Sequence, residues 1–250
     1  MTAGRVANRS LEPRLQPGSR QGQVAPPAAE SSCRGRRRRE HMTHSSSSDF
    51  DSRARTWDDD TAKRERARSV ADAIAARVPA LSGSRVLEYG AGTGLLGLAL
   101  QPLVAEVTLA DSSREMLAVA QEKIAARGLR NARTLHLDLA AGPPPELRFD
   151  LICTLMTLHH IPDTDGILGA FRELLPKAGA VCIADLDRED GSFHGPGFSG
   201  HNGFDRAELR ARLEHGGFRN VKIDLVAEVR KDTAAGPRIY PVFLAIAEKA

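Results

Sequence analysis

Hydrophobic residues recur at two different spacings along the chain, and stretches of the two kinds alternate. From residue 61 to residue 80 apolar side chains return every four positions, at Val70, Ile74 and Val78, which predicts an amphipathic helix. Residues 86–89 form a short and nearly continuous apolar run, which is typical of a strand buried on both faces. The change of spacing indicates a leading helix followed by a mixed α/β segment.

The same reasoning predicts seven strands and four further helices. Ser112 or Ser113 caps one helix, and Gly128 and the pair Gly216–Gly217 mark helix ends. Strands that alternate with helices form a parallel sheet covered on both faces, and the last two strands, about ten residues apart, are predicted to pair antiparallel at one edge. The predicted strands are residues 86–89, 106–111, 132–138, 149–158, 180–187, 220–229 and 239–248. One further helix begins at 95–100, and the others are predicted at 112–128, about 164–175 and 204–218.

Three glycines, Gly90, Gly92 and Gly94, stand between the first strand and the next helix, in the stretch "VLEYGAGTGLLGLAL". Ligands of open α/β sheets bind beyond the carboxyl ends of the strands, and glycine lets the backbone approach them closely. A phosphate loop needs a lysine before Ser or Thr, and none stands here; the dinucleotide pattern is G-x-G-x-x-G, whereas this one is G-x-G-x-G. The acid Glu88 would also repel a pyrophosphate, so a different nucleoside ligand is predicted.

Acids stand at the ends of three consecutive predicted strands, namely Glu88, Asp111 and Asp138. Glu88 suits a cationic ligand, Asp111 can accept hydrogen bonds from ribose hydroxyls, and Asp138 can accept one from the exocyclic amine of adenine. This set describes S-adenosylmethionine. Simpler roles stay open: Glu88 capping backbone donors of the turn, Asp111 as a helix cap, and Asp138 as a loop acid.

Five ordered motifs resemble those of class I S-adenosylmethionine-dependent methyltransferases: "VLEYGAGTG", "VTLADSSREML", "LHLDLA", "FDLICTLMTLHHIPD" and "LLPKAGAVCIADLD". The upstream "FDSRARTWDDD" is similar to the segment that lies over the cofactor in the small-molecule type, which includes ubiquinone and menaquinone methyltransferases. The resemblance covers about residues 49–248. It implies a Rossmann-like fold with a cofactor-covering helical segment at 49–82 and a methyltransferase domain at 83–250.

The cofactor-binding residues are predicted from the matching motif positions. Trp57 either packs on the leading helix or covers the cofactor. The full predicted set is Trp57, Glu88, Gly90, Gly92, Gly94, Asp111, Ser112, Met116, Asp138, Leu139 and Thr154.

Methyl transfer needs a base only if the acceptor must lose a proton. His159 and His160 follow the fourth strand, and the loop "DLDREDGSFHG" follows the fifth. The candidate catalytic residues are His159, His194 and Asp187; the alternatives are structural histidines and a solvated acidic loop. No metal site is predicted, because His159, His194, Asp185 and Asp187 lack helical i, i+4 spacing and the acids of metal-dependent catechol-type enzymes are absent.

The charge of the chain is unevenly distributed. Residues 1–41 carry nine Arg against three Glu, so the remainder is slightly acidic despite the overall charge of +3. We expect residues 1–48, rich in Arg, Pro and Ser, to be a disordered leader. Three roles stay open for this leader: an inert tail ahead of a translation start at Met42, an organelle transit peptide, or a nucleic-acid tether. Nucleic-acid binding is expected only through this leader.

The function predicted from these features is methyl transfer from S-adenosylmethionine to an O, S, N or C nucleophile of a small molecule. The alternatives are an RNA or protein methyltransferase and a non-catalytic S-adenosylmethionine-binding regulatory protein. No apolar run is long enough to span a membrane, and the cysteines Cys33, Cys153 and Cys182 form no close pair, which suits a reducing cytoplasm. The acceptor and the oligomeric state stay open.

Overall fold

A computed structural model describes residues 47–79, 81–233 and 236–250. The leader expected at residues 1–48 therefore lies outside the described residues except for its last two positions. Those two positions already belong to a helix, α1, which spans Ser47–Arg53. The first described helix thus includes the last two residues of the predicted leader.

The N-terminal segment continues from α1 through a 3₁₀ helix at Ala54–Asp59 into α2 at Thr61–Arg77. The side chain of Asp60 caps α2 by accepting hydrogen bonds from the backbone N–H groups of Ala62 and Lys63. The predicted helix ends three residues early, at Arg77 instead of 80. Val70 and Ile74 of its predicted apolar stripe are buried, and Val78, just beyond the helix, is partly buried.

The centre of the fold is a seven-stranded sheet with the order β3-β2-β1-β4-β5-β7-β6. Every neighbouring pair is parallel except those of β7, which runs antiparallel to both β5 and β6. The predicted mostly parallel sheet with an antiparallel last strand is confirmed. The strands are β1 Arg85–Tyr89, β2 Glu106–Asp111, β3 Ala132–His136, β4 Leu151–Leu155, β5 Ala180–Leu186, β6 Phe218–Thr233 and β7 Gly236–Lys249.

Helices cover both faces of this sheet. Successive strand residues such as Val86 and Leu87 enter opposite core clusters, and both are fully buried, which explains the continuous apolar runs. The helices that follow α2 are α3 Leu95–Leu100, α4 Arg114–Ala126, α5 Thr164–Leu174 and α6 Arg206–His215. One core cluster includes residues of α2, α3 and α4, and the other includes residues of α5 and α6.

The end of the fourth strand and the loop before the last strand also differ from the prediction. The fourth strand was expected to reach residue 158, but it ends at Leu155, because Met156 has a φ of 55° and the chain turns into a 3₁₀ helix at Leu158–His160. The loop of about ten residues expected before the last strand is absent from the described structure, because β6 and β7 pair as far as Thr233 and Gly236. No helix that the structure describes is long and apolar enough to cross a bilayer.

The strand order fixes where a ligand can bind. The chain order reverses between β1 and β4, so the loops after these two strands diverge and leave a crevice at the carboxyl edge of the sheet. The glycine turn follows β1, and the two adjacent histidines follow β4. Both predicted parts of the site therefore lie at this edge.

Candidate active site

The glycine turn has the backbone conformation that its sequence predicts. Gly90, Gly92 and Gly94 have φ values of 69°, 53° and 78°, which side chains rarely adopt. A Cβ on Gly90 would collide with the side chain of Thr157, which enters from the loop after β4. The turn is anchored to the sheet because the Ala91 N–H donates to the Ala110 carbonyl at 2.9 Å.

Asp111 lies at the end of β2 and holds the glycine turn directly. Its Oδ2 accepts a hydrogen bond of 2.7 Å from Gly92 N, and its Oδ1 accepts one of 2.8 Å from Ser113 N. Burial raises the pKa of Asp111. Ser113, not Asp111, caps α4 by accepting from Met116 N, and Ser112 is exposed beside it. Asp111 is therefore not merely a helix cap.

Glu88 makes a different contact from the ligand contact that the sequence suggested. Its side chain is buried, and Oε2 accepts a hydrogen bond of 2.7 Å from Gly97 N in α3. Burial raises the pKa of this carboxyl to about 8. The simpler alternative was a cap on backbone donors of the glycine turn, whereas the observed donor lies in the helix that follows it. The ligand role of Glu88 stays a prediction.

Two predicted adenine-side residues follow β3. Asp138 is exposed, and its Oδ1 accepts from Ala140 N at 2.9 Å, which closes a local turn. Leu139 is buried, and its backbone N–H donates to the hydroxyl of Tyr89 at 3.2 Å. The loop contact of Asp138 leaves its proposed bond to adenine a prediction.

Met116 and Thr154 are both buried. The Met116 sulfur lies 3.8 Å from the position that a Cβ on Gly92 would take, so it lines the turn from α4. Thr154 lies in β4, and its hydroxyl finds no hydrogen-bond partner among the described residues. Of the two, Met116 is the one that the structure brings to the turn.

A cover segment, residues 50–60, lies over the glycine turn. Trp57 Nε1 is 3.9 Å from the Cβ position of Gly92. The neighbouring Asp58 accepts from Thr93 Oγ1 at 2.5 Å and pairs with Lys123 Nζ at 2.7 Å. The segment is thus fixed both to the turn and to α4. The Lys63 ammonium group of α2 lies over the Trp57 ring, 3.7 Å from its centroid. Trp57 therefore contacts both the leading helix and the glycine turn, as its two predicted roles require.

His159 and Asp185 form a buried pair at the ends of β4 and β5. The distance from His159 Nδ1 to Asp185 Oδ1 is 2.5 Å, and the His159 backbone N–H donates to Oδ2 at 3.2 Å. Burial alone would raise the pKa of Asp185, but the charge and hydrogen bonds of His159 lower it below its ordinary value. In the tautomer in which Nδ1–H donates to the Asp185 carboxylate, the lone pair of the ring lies on Nε2.

His160 and His194 lie beside this pair. The ring centroid of His159 is 4.1 Å from that of His160 and 5.1 Å from that of His194. Burial, reinforced by the neighbouring histidines, lowers the pKa of His160 to about 3 and that of His194 to about 4. Both imidazoles are therefore neutral at pH 7. Phe198 stacks on His194 at 3.8 Å between ring centroids.

Asp187 was predicted as a catalytic residue, and the structure does not bring it to the histidines. Its two carboxylate oxygens accept from Arg206 Nε at 2.7 Å and from Nη2 at 2.6 Å, which ties the end of β5 to α6. A bidentate pair with Arg occupies both oxygens. The acid beside His159 is Asp185, two residues earlier and inside the strand.

Sequence reasoning missed the roles of Asp185, Phe50 and Phe198. Asp185 is an acid inside an otherwise apolar, fully buried strand, which is an unusual position and a usable signal. Phe50 lies 5.3 Å from the ring of His160 and so links the cover segment to the histidines. That contact joins residues from distant parts of the chain, and no local pattern predicts it.

The sequence model of the family described as "Methyltransferase domain" matches residues 62–223, which include the glycine turn, Asp111 and both adjacent histidines. The chain belongs to this methyltransferase family. The match ends inside β6, so the family assignment rests on the sheet and the residues at its carboxyl edge. The predicted class of protein is confirmed.

The methyltransferase domain is similar to curated relatives over part of their length. It is 36% identical over 124 residues to a ubiquinone biosynthesis O-methyltransferase of Xanthomonas campestris pv. campestris. The aligned region covers 49% of this chain and 51% of that protein. The chain thus spans about half the length of the curated relatives it matches.

Solved structures show the same fold. A SAM-dependent methyltransferase from Aquifex aeolicus matches with a TM-score of 0.60 and 20% identity over 80% of this chain and 98% of that chain. A phosphoethanolamine N-methyltransferase of Haemonchus contortus, solved with S-adenosyl-L-methionine, matches with a TM-score of 0.59 and 17% identity over 72% of this chain and 52% of that chain. At these identities the similarity establishes the Rossmann-like fold.

Proposed function

We propose that this protein transfers a methyl group from S-adenosylmethionine to a small-molecule acceptor. The observation that carries the proposal is the bond between Asp111 and the glycine turn: a partly buried carboxylate holds Gly92 N at the carboxyl edge of the sheet. A turn of this kind, without a phosphate-binding lysine, suits a nucleoside that lacks phosphates. Membership of the methyltransferase family supports the same cofactor.

Asp111 and the cover segment hold the cofactor in this proposal. Asp111 accepts hydrogen bonds from the ribose hydroxyls, as acids at this position do in nucleotide-binding sheets. Trp57 and Met116, which flank Gly92 on two sides, provide apolar contact for the cofactor. The raised pKa of Asp111 falls when hydroxyl donors reach its oxygens, because those bonds favour the charged form.

The reaction is an in-line displacement at the sulfonium methyl. A lone pair of the acceptor forms the new bond to carbon, the S–CH3 bond breaks, and its electron pair remains on sulfur as the thioether of S-adenosylhomocysteine. The residues accelerate this step by aligning the two reactants and excluding water. Where the acceptor carries a proton, that proton must pass to a base.

His159 is the proposed base, with Asp185 as the residue that positions it. The bond from Nδ1 to Asp185 fixes the ring and leaves Nε2 to receive the proton. Asp185 also stabilises the imidazolium that results, because it is buried and unpaired with any lysine or arginine in the described part of the chain. His194, a neutral neighbour, contributes to binding the acceptor.

The acceptor class that we propose is a small molecule with an ionisable hydroxyl. Support comes from the Xanthomonas relative, which is named as an O-methyltransferase of ubiquinone biosynthesis. We place the reaction in the cytoplasm. Cys153 and Cys182 are register partners on neighbouring strands and remain free thiols, which suits a reducing compartment.

A methyl-transfer screen tests this proposal. The full chain is incubated with S-adenosylmethionine labelled in its methyl group and with phenols, thiols and amines, with bulk RNA and a protein extract as separate arms. We expect label in the phenol arm, and at least about tenfold less with His159→Asn, because a general base contributes about 10²–10⁴ in rate. Label in the RNA or protein arm alone would support a macromolecular methyltransferase instead.

A further inference from the structure

Three histidines converge at the carboxyl edge of the sheet. His159 and His160 come from the 3₁₀ helix after β4, and His194 comes from the loop after β5. Each offers one ring nitrogen, and these nitrogens all lie within 4.8 Å of one another. We call these three residues the histidine cluster.

Each member of the histidine cluster has a buried ring nitrogen that makes no hydrogen bond. His159 Nε2, His160 Nδ1 and His194 Nε2 are buried, and none of them has a hydrogen-bond partner among the described residues. Buried polar atoms in native proteins nearly always have partners. An unpartnered nitrogen on each of three converging rings therefore points to a bound ligand, and His159 is itself 1% exposed.

Asp185 supports the histidine cluster by binding the second ring nitrogen of His159. It binds His159 Nδ1 at 2.5 Å, on the opposite side of the ring from the free Nε2. Histidines that bind metals usually donate their other ring N–H to a carboxylate or carbonyl, which fixes the tautomer and makes the ligand nitrogen more basic. The His159–Asp185 pair has this form.

We propose that the histidine cluster binds a divalent transition-metal ion, with zinc as the ion of choice. Imidazole nitrogens suit zinc, copper, iron and nickel, whereas magnesium and calcium require oxygen ligands, and the cluster contains no carboxylate. Zinc–nitrogen bonds of about 2.0–2.1 Å in a tetrahedral site place ligand nitrogens about 3.4 Å apart. The nitrogens of the histidine cluster, within 4.8 Å of one another, would have to move closer on binding the ion.

Three protein ligands leave one tetrahedral position for water or substrate, as in catalytic zinc sites. The histidine cluster lies beside the turn that holds the proposed cofactor, since Thr157, two residues before His159, contacts Gly90. We therefore assign the open position to the hydroxyl oxygen of the acceptor, which the ion would make more acidic. Because coordination uses the Nε2 lone pair of His159, this residue would be a ligand in the zinc-bound protein, and the base role proposed above would belong to the metal-free protein. This assignment rests on the proposed function; the metal site itself does not.

The sequence predicted no metal here, because the candidate ligands lack helical spacing. That argument holds only for ligands on one helix. In this fold a 3₁₀ helix supplies two neighbouring histidines and a separate loop supplies the third, so their spacing in sequence carries no information about their spacing in the structure.

Zinc binding to the full chain tests the proposal. The protein is purified without a histidine tag, and Cys33 is replaced by Ser in every variant so that its thiol does not compete. Calorimetric titration with Zn²⁺ alone and elemental analysis after dialysis are expected to give one tightly bound ion per chain. His194→Ala, in a loop, should weaken the affinity at least tenfold, and Asp185→Asn should weaken it about 10–100-fold.

His215→Ala is the matched control, since His215 is exposed at the end of α6. It should bind zinc as the parent protein does. Circular dichroism shows whether each variant is folded. Substitution with Co²⁺ gives a second readout, an intense visible spectrum typical of tetrahedral coordination, which should be lost in His194→Ala.

Equal zinc affinity in the parent and His194→Ala, or no bound zinc in the parent, would overturn the metal site. Neither outcome touches the proposed function, because S-adenosylmethionine binding is measured separately and in the presence of a chelator. Loss of cofactor binding with zinc still bound would instead contradict the proposed function and leave the metal site standing.

Discussion

Glu88 links the stability of the fold to pH. Its ordinary pKa is 4.5, and burial raises it to about 8 in the folded protein. Between these two values the folded state keeps the proton that the unfolded chain releases. The unfolded state is therefore favoured increasingly as pH rises through this range, and the contribution of Glu88 to stability falls.

Glu88→Gln should remove this dependence. Glutamine cannot ionise but keeps a carbonyl oxygen for the Gly97 N–H. The free energy of unfolding of the variant, relative to that of the parent, should rise between pH 5 and pH 8. Urea unfolding at several pH values measures it, with the exposed Glu146→Gln as control. The same difference at every pH would show that Glu88 is ionised in the folded state.

Alanine substitutions at Gly90 and Gly128 distinguish the cost of backbone strain from the cost of side-chain crowding. Both have positive φ, 69° and 62°, but a Cβ on Gly90 would meet Thr157, whereas one on Gly128 would meet no atom within 4 Å. Gly128→Ala should cost about 1 kcal/mol of unfolding free energy. Gly90→Ala should cost about 1–3 kcal/mol more, because a crowded site must also move its neighbours. Equal costs in urea unfolding would contradict the packing that we describe.

At the scale of elements, the cover segment is attached to the site through acids. Asp58 contacts Thr93 in the glycine turn and Lys123 on α4, and Asp51 accepts from Ser113 Oγ at 2.5 Å. These contacts hold Trp57 over Gly92. Because Trp57 is the only tryptophan in the chain, its fluorescence reports the position of this segment.

Asp58→Asn should loosen the cover segment. The variant loses the ion pair with Lys123, whose side chain is largely buried, and weakens the bond to Thr93. We expect the emission of Trp57 to shift to longer wavelength as the indole enters water. Asp59→Asn, on the exposed neighbouring residue, is the control and should leave the spectrum unchanged. An unchanged spectrum in Asp58→Asn would mean that other contacts hold the segment.

The elements that sequence predicted well are those with a buried side. The five parallel strands and the helices between them have continuous or periodic apolar residues. The antiparallel pairing of the last two strands was predicted, but its extension past the end of β5 was not. Segments in that extension, such as residues 230–233, "RKDT", are polar on both faces. A stretch of strand that is polar on both faces has no apolar side to alternate with a polar one, so its pattern does not indicate a strand.

The same distinction explains the site. The glycine turn and Asp111 are adjacent to strands and were found from local pattern. The pairing of His159 with Asp185, and the approach of His194 and Phe50, bring together residues from four separate segments. Only the fold supplies those distances, so Asp187, the better exposed acid, was chosen in place of Asp185.

At the scale of the whole molecule, charge divides the chain at about residue 41. The excess of Arg lies in residues 1–41, outside the described residues, and the rest of the chain is slightly acidic. Within the described part of the chain, the contacts that form the proposed site come from residues 50–204. The proposed function is therefore built without the Arg-rich segment.

Deleting residues 1–41 should leave cofactor affinity and methyl transfer to small molecules within about twofold of the full chain, a change below about 0.5 kcal/mol. A tethered nucleic-acid substrate would behave differently, because its binding depends on the basic segment and on salt. Transfer rates at two salt concentrations check this. A large loss of activity on deletion would favour the RNA or protein methyltransferase.

The central claim is that the carboxyl edge of the sheet holds a phosphate-free, positively charged nucleoside through Asp111. Calorimetric titration of the full chain with S-adenosylmethionine, NAD and ATP tests it most directly. We predict saturable binding of S-adenosylmethionine, at least about tenfold weaker in Asp111→Asn because bonds to a charged group contribute about 1.5–3 kcal/mol. Tighter binding of NAD or ATP, or unchanged affinity in Asp111→Asn, would contradict the account.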